Sequence, residues 1–316
     1  MKPLDIERPP ALTLRGTLRG NLRGLLVEMR PQEWTKNLLV FTGVIFSRSL
    51  FDLHDLWTST AGFLLFCAAS SGIYIFNDLC DVEADRQHPI KSKRPLAAGD
   101  LNTNLARIAM ILLFAIAALG SLALSFSFAL IIVLYLSICL AYSLQLKNIV
   151  ILDVILIASG FVLRAISGAV LIDVTISEWL IICTSMVALL VGFGKRRHEL
   201  TLLESAASTH RKNLGEYSIH FLDSIMAICA GAALITYALY TRADETVARV
   251  GSQWMLITIP FVVYGVFRYL FLIHQRDAGG DPVKILFHDR PMVLNLLLWL
   301  IAAALVVYLP SILKHG

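Results

Sequence analysis

The chain consists of long apolar runs broken by short charged or turn-forming segments, and this pattern limits its fold more than any single motif does. In hydrocarbon every backbone polar group must be paired within its own element, and about 20 apolar residues cross a bilayer core as a helix. The runs fall at 34–51, 56–77, 103–120, 124–143, 149–172, 178–195, 221–240, 253–273 and 291–312. They predict an all-α polytopic membrane protein with nine transmembrane helices. Composition agrees: of 316 residues 57% are hydrophobic and 16% charged, where an ordinary soluble domain carries about a quarter charged residues. A soluble globular enzyme, a disordered chain and a disulfide scaffold are excluded. Cys67, Cys80, Cys139, Cys183 and Cys229 are scattered, with no CxxC pair, and read as small apolar packing residues. The first 16 residues have no apolar core of signal-peptide type, so membrane entry is assigned to the first span.

Charge gives the orientation. The N-terminal segment and the connections after the second, fourth, sixth and eighth spans, with the span ends that adjoin them, hold 21 of the 27 lysines and arginines. By the positive-inside rule these segments are cytoplasmic and the C-terminus lies outside, in the cell's inner membrane. The net charge of +4 then reflects topology and calls for no nucleic-acid partner. Residues 1–33 form a cytoplasmic N-terminal segment ahead of a transmembrane domain at 34–316. Within that segment Arg15, Arg19 and Arg23 recur every four residues beside Leu14, Leu18, Leu22 and Leu25. Such a pattern fits a basic amphipathic helix on the anionic inner leaflet, or a mobile tail with incidental arginines.

The strongest chemical signal leaves the second span as Asn77-Asp78-Leu79-Cys80-Asp81-Val82-Glu83-Ala84-Asp85. On a helix, Asp78, Asp81 and Asp85 lie within an arc of about 60°, and Asn77 widens it to about 100°. Carboxylates on one face repel unless a cation stands between them, and hard oxygen donors suit Mg²⁺, whose shell is usually completed by substrate phosphate. A solvated acidic turn at a helix end would use the same residues, but ionisable groups at a membrane surface are costly and usually functional. Just downstream, His88, Lys91, Lys93 and Arg94 suit the remaining phosphate oxygens. After the fourth span come Tyr142, Lys147, Asp153 and Arg164. Asp153 and Arg164 are about 20° apart around a helix and about 16 Å apart along it, so they face one side without reaching each other. Gly160 and Gly168 read as close-packing positions, and stripes such as Phe63, Phe66 and Ile73, or Phe161 and Leu163, as helix packing or a lipid-tail groove.

NDxxDxxxD followed by a basic stretch and RPLAAG resembles the first aspartate-rich motif of the UbiA-type prenyltransferase superfamily, and Arg30-Pro31-Gln32-Glu33-Trp34-Thr35-Lys36-Asn37 resembles its RPxxWxKN entry. The resemblance implies nine helices around a central cavity open to the cytoplasm. Prenyl-diphosphate users of that family usually carry a second aspartate-rich motif after span six. Here that loop reads GKRRHELTLLESAASTHRKNLGEYS, and offers Lys195, Arg196, Arg197, Glu199, Arg211 and Lys212 in its place. With GKRxxEL, RKxxxEYS and GGDPVKILFHDRP, the chain is similar to the decaprenyl-phosphate phosphoribosyltransferase branch. That resemblance implies 5-phosphoribosyl 1-diphosphate as donor, a polyprenyl phosphate as acceptor, Mg²⁺ as cofactor, and a product that feeds envelope arabinan.

The resulting expectations are specific. Asn77, Asp78, Asp81 and Asp85 hold Mg²⁺ against the diphosphate, and Lys91, Lys93 and Arg94 assist the leaving group. Lys36, Lys147, Arg164, Lys195 and Arg196 take the two other phosphates, with Asn37, Tyr142 and Glu199 also binding substrate, and Lys147 and Asp153 are counted with Asp78, Asp81 and Asp85 as catalytic residues. The attacking lipid phosphate is already an anion, so no general base is required. Two other readings compete. Prenyl transfer from a prenyl diphosphate is disfavoured by the missing second motif, and a secondary transporter would place polar residues at mid-bilayer within inverted repeats.

Overall fold

The computed structural model describes residues 14–88, 91–205, 214–276, 280, 285 and 288–315, with side chains described at 20–88, 91–202, 215–276, 280, 285 and 288–308. Every regular element among them is helical. The α-helices are α1 (Leu14–Glu28), α2 (Thr42–Phe46), α3 (Leu53–Arg86), α4 (Pro95–Ala98), α5 (Thr103–Leu124), α6 (Phe126–Leu144), α7 (Leu152–Leu171), α8 (Glu178–Ser205), α9 (Ile219–Arg242), α10 (Asp244–Val250), α11 (Ile259–Arg276) and α12 (Arg290–His315).

Eight helices among the described residues are long and apolar enough to cross a membrane: α3, α5, α6, α7, α8, α9, α11 with the 3₁₀ turn before it, and α12. The expected first span differs from its sequence reading. Residues Pro31–Phe41 form a 3₁₀-helix that passes directly into the five-residue α2, and Arg48, at φ +67°, ends the run. Close packing accounts for this shape: a Cβ on Gly43 would stand 2.4 Å from the Gly168 carbonyl oxygen, and one on Gly168 would stand 1.9 Å from that of Val40. The two backbones meet with no room for a side chain on either glycine, so the close-packing reading of Gly168 holds. Gly160 faces Arg164 and Tyr135 instead. All five cysteines are free thiols, and Cys67, Cys183 and Cys229 are buried.

The chain divides into two compact units. The first comprises residues 1–34 and 67–117. Its core joins Ile75, Leu96, Leu101 and Ala106 to Leu25 and Met29 of α1 and its exit, so α1 is seated by apolar contact. Leu22, Leu26 and Val27 of the same helix are exposed, while the side chains of Arg15 and Arg19 lie outside the described part. The second unit comprises residues 35–66 and 118–316. There α8 packs along α7 and α9, α6 and α2 along α7, and α11 along α9 and α12. Leu190, Leu222, Met226 and Ile273 form the centre of its larger core.

Candidate functional site

Two polar centres hold most of the sequence-predicted residues, one in each unit. In the first unit α3 continues about two turns past its apolar window, because Asn77–Arg86 is helix-forming as well as polar. Its acidic face is buried: Asp78 and Asp85 are 2% and 3% exposed, and Asp81 is half-buried. Arg30 Nη2 donates to both oxygens of Asp78 at 2.6 and 2.7 Å. Arg94 Nη1 bridges Asp78 Oδ1 at 2.8 Å and Asp85 Oδ2 at 2.6 Å, and Lys91 Nζ stands 3.8 Å from Asp85. The repulsion expected among the carboxylates is therefore relieved by side chains, with three cations facing two buried acids. Lys93 is exposed.

Glu28 joins this centre from α1. It is 2% exposed, and its Oε1 accepts from the Leu96 backbone N–H at 2.9 Å. Burial, with its hydrogen bond to Asp78, pushes its carboxyl up to about 8, so at neutral pH Glu28 is protonated and donates to Asp78. The short helix α4, with its proline at the first turn and Gly99 in the left-handed region at its end, holds Leu96 for Glu28 and Arg94 for the aspartates. Arg30 also stacks over Tyr74 at 4.9 Å. Sequence reasoning quoted Arg30 within RPxxWxKN without giving it a role, and it passed over Glu28. The sequence signal for it is weak, an acid two residues before that motif amid the apolar residues Leu25, Leu26, Val27 and Met29.

The donor set fits Mg²⁺. Asn77 Oδ1 is buried with no hydrogen-bond partner, an orphaned hard oxygen on the same helix as Asp78, Asp81 and Asp85. No three Asp, Glu, His or Cys side chains among the described residues stand close enough to hold an ion alone. That matches a cation which uses one or two carboxylates and completes its octahedron with water and substrate phosphate.

In the second unit the centre is built around Asp153, which is fully buried in the first turn of α7. Arg196 of α8, 2% exposed, donates through Nε to Asp153 Oδ2 at 2.7 Å and through Nη1 to Glu199 Oε2 at 2.6 Å, with Nη2 3.4 Å from the Tyr142 hydroxyl. Tyr217 donates to Asp153 Oδ1 at 3.0 Å and accepts from the Ile151 N–H at 2.6 Å. Burial pushes its phenol up to about 12, so the hydroxyl stays neutral. Lys147 is half-buried in the turn before α7, and Lys195 is exposed. Arg211 and Lys212 lie outside the described residues, as does most of the GGDPVKILF segment. Arg197 is turned away from this centre and bonds Asp223 at 2.6 Å.

Arg164 stands apart from Asp153, as their spacing requires. Its guanidinium is 6% exposed and donates to Asn37 Oδ1 at 2.7 Å, the Gly160 carbonyl at 2.6 Å and the Tyr135 hydroxyl at 2.9 Å. The rings of Tyr135, Phe66 and Phe161 lie within 4.7–5.8 Å of it. Among the described residues no carboxylate neutralises this charge. Phe66 is fully buried against Phe128 and Tyr135, so it packs the core and does not line a lipid groove.

Comparison with known proteins is consistent across methods. The model of the UbiA prenyltransferase family matches residues 38–297. A decaprenyl-phosphate phosphoribosyltransferase of Mycolicibacterium smegmatis is 33% identical over 304 residues, 93% of this chain and 95% of that protein. The Corynebacterium glutamicum protein of the same name is 30% identical over 90% of this chain and 87% of its own length. Among solved structures, a UbiA homolog from Archaeoglobus fulgidus bound to DMAPP and Mg²⁺ superposes with a TM-score of 0.70 at 19% identity, covering 90% of this chain and 99% of that one.

Proposed function

The chain belongs to the UbiA prenyltransferase family, and from that premise we propose that it transfers the phosphoribosyl group of 5-phosphoribosyl 1-diphosphate to a polyprenyl phosphate, releasing diphosphate. It is an integral membrane transferase, and a transporter reading has no further support. The relatives named for phosphoribosyl transfer, which share about a third of their residues with nine-tenths of this chain, support the group transferred. The observation that carries the choice of branch is at the end of α8. Lys195 and Arg196 stand there with Glu199 and no aspartate pair, a set suited to anions, where a second Mg²⁺ site would need carboxylates.

The diphosphate is assigned to the first unit's centre. Asn77 with one or two of Asp78, Asp81 and Asp85 would hold Mg²⁺, which when bound neutralises charge on the diphosphate as the bond to ribose C1 breaks. Arg30, Arg94 and Lys91 take diphosphate oxygens by exchanging them for carboxylate oxygens, with charge-assisted hydrogen bonds on both sides of the exchange. Lys93, exposed, extends that basic run. Arg196, Lys36, Lys147, Arg164 and Lys195 are assigned to the other phosphates, with Asn37, Tyr142 and Glu199 as further polar groups of the substrate set. Asp153 is fully buried, so it acts by holding Arg196. Ribose C1 becomes oxocarbenium-like as diphosphate leaves, and the lipid phosphate attacks as an anion, in line and with inversion. The residues' work is positioning and electrostatic stabilisation.

The same reading sets the topology. The N-terminal segment and the C-terminal ends of α3, α6, α8 and α11 are cytoplasmic, and the C-terminus is outside. Nine crossings are retained because a 3₁₀-helix rises about 2.0 Å per residue. The 11 residues of Pro31–Phe41 with the five of α2 therefore reach about 30 Å, the thickness of the hydrocarbon core.

A donor competition tests the proposal. Purified protein with Mg²⁺ receives labelled phosphoribosyl diphosphate with a polyprenyl phosphate, or labelled prenyl diphosphate with an aromatic acceptor. Transfer is expected from the first pair alone, and transfer only from the second would overturn it.

A further inference from the structure

Ile151, a β-branched residue, has φ +69° and ψ −47° and closes a γ-turn in which the Leu152 N–H reaches the Val150 carbonyl at 2.8 Å. This conformation is rare and strained for an L-residue, and most of all for a β-branched one. Strain of this kind persists only where the surroundings hold it in place. Ile151 is also the N-cap of α7, and its side chain supplies no cap hydrogen bond. The group that meets its N–H is the hydroxyl of Tyr217, 66 residues away, at 2.6 Å.

The same hydroxyl donates to Asp153 Oδ1 at 3.0 Å. It therefore uses its one proton and one lone pair on the two ends of a single turn, Ile151 and Asp153. The other oxygen of Asp153 takes Arg196 Nε at 2.7 Å. The chain of contacts runs from the strained turn through Tyr217 and Asp153 to a guanidinium. Among the described residues that guanidinium's Nη2 has only a long 3.4 Å contact, to Tyr142, and is the nitrogen left to meet a ligand. The ring of Tyr217 is buried in the core with Leu222 and Met226 and tilts against Phe221 with centroids 6.2 Å apart. Removing the oxygen alone would leave this packing in place.

We propose that Tyr217 is a positioning residue for the phosphate-binding guanidinium, locking the γ-turn at Ile151 and the carboxylate of Asp153 with one hydroxyl. This rests on the assignment of Arg196 to a substrate phosphate. An anion-binding arginine already held in place loses less freedom when its ligand arrives, so loss of the lock weakens binding more than turnover.

Steady-state kinetics of Tyr217→Phe, Arg196→Ala and the double variant Ile151→Gly/Tyr217→Phe test it. Tyr217→Phe is expected to raise KM for one phosphorylated substrate about tenfold while kcat changes less than threefold. Glycine adopts positive φ without strain, so the double variant is expected to recover several-fold of that loss. A purely structural tyrosine would show no such rescue. If Arg196→Ala raises KM and Tyr217→Phe leaves it unchanged, the positioning role fails and the phosphate site stands. If Arg196→Ala changes neither KM, the phosphate assignment fails and this proposal fails with it. Should Tyr217→Phe not remain folded, the double variant alone decides: KM raised no more than about threefold supports the lock, and a larger rise overturns it.

Discussion

Asp78 and Asp85 illustrate how a buried charge is kept in a membrane protein. Each is buried, and each is held by cations from segments that precede or follow α3 in sequence, Arg30 from one side and Arg94 and Lys91 from the other. Removing one partner of such a pair leaves the other's charge uncompensated, which costs far more than a surface pair is worth. Isosteric replacement therefore separates function from fold. Asp78→Asn is expected to lower Mg²⁺-dependent turnover by about a hundredfold or more while the protein stays monodisperse in detergent. Wild-type rates from the folded variant would remove Asp78 from the metal site. At this scale the sequence was only half legible. The acidic face of α3 follows from 3.6-residue spacing. Glu28, Arg30, Tyr135 and Tyr217 escape because their partners lie 29 to 68 residues away, and no local period marks such pairs.

Most helices were readable from hydropathy because the bilayer fixes their length. Where the boundaries differ, a polar extension is the cause. α3 continues to Arg86 and α8 to Ser205, both beyond their apolar windows of 56–77 and 178–195. The segment expected as the first span could not be read as a 3₁₀/α hybrid, because its cause is the backbone approach of Gly43 and Val40 to Gly168. Gly168→Ala places a methyl inside that contact and is expected to cost about 1–3 kcal/mol, seen as a lower Tm in detergent; an unchanged Tm would place the contact elsewhere. At the start of α12, Asp289 accepts from the Met292 N–H at 3.0 Å and pairs with both Arg268 Nε and Nη2, at 3.1 and 2.8 Å. The hydrogen bond from Arg268 holds its carboxyl below the usual value of 3.8. A lowered carboxylate stabilises the fold above its unfolded pKa, and that contribution is lost as pH falls through the folded one. The Tm deficit of Asp289→Asn is therefore expected at neutral pH and should shrink below about pH 4; a deficit independent of pH would contradict the pairing.

On the scale of the whole molecule, topology and chemistry are read from the same charges. In the proposed topology the segments assigned to the cytoplasm carry most of the basic residues, among them those assigned to substrate phosphates, so a single charge pattern would serve orientation and substrate. Nine crossings put the two ends of the chain on opposite sides, whereas eight would put them together. Single cysteines introduced at Ser125, between α5 and α6, and at Asn148, before α7, in a cysteine-free background test the orientation. Labelling by an impermeant maleimide from outside is expected at the first and not the second, and the reverse pattern would invert the assignment. The same reagent on a cysteine replacing Gly20, an exposed position in α1, is expected not to react from outside; labelling there together with Ser125 would mean that the 3₁₀/α segment does not cross.

The central claim is the identity of the group transferred, and a double-label assay addresses it most directly. Purified protein with Mg²⁺ and a polyprenyl phosphate receives 5-phosphoribosyl 1-diphosphate carrying ¹⁴C in the ribose and ³²P in the β-phosphate. The account predicts ¹⁴C in the organic phase and ³²P in the water as diphosphate, in equal amounts. Both labels remaining in water, while a labelled prenyl diphosphate is consumed under the same conditions, would contradict it.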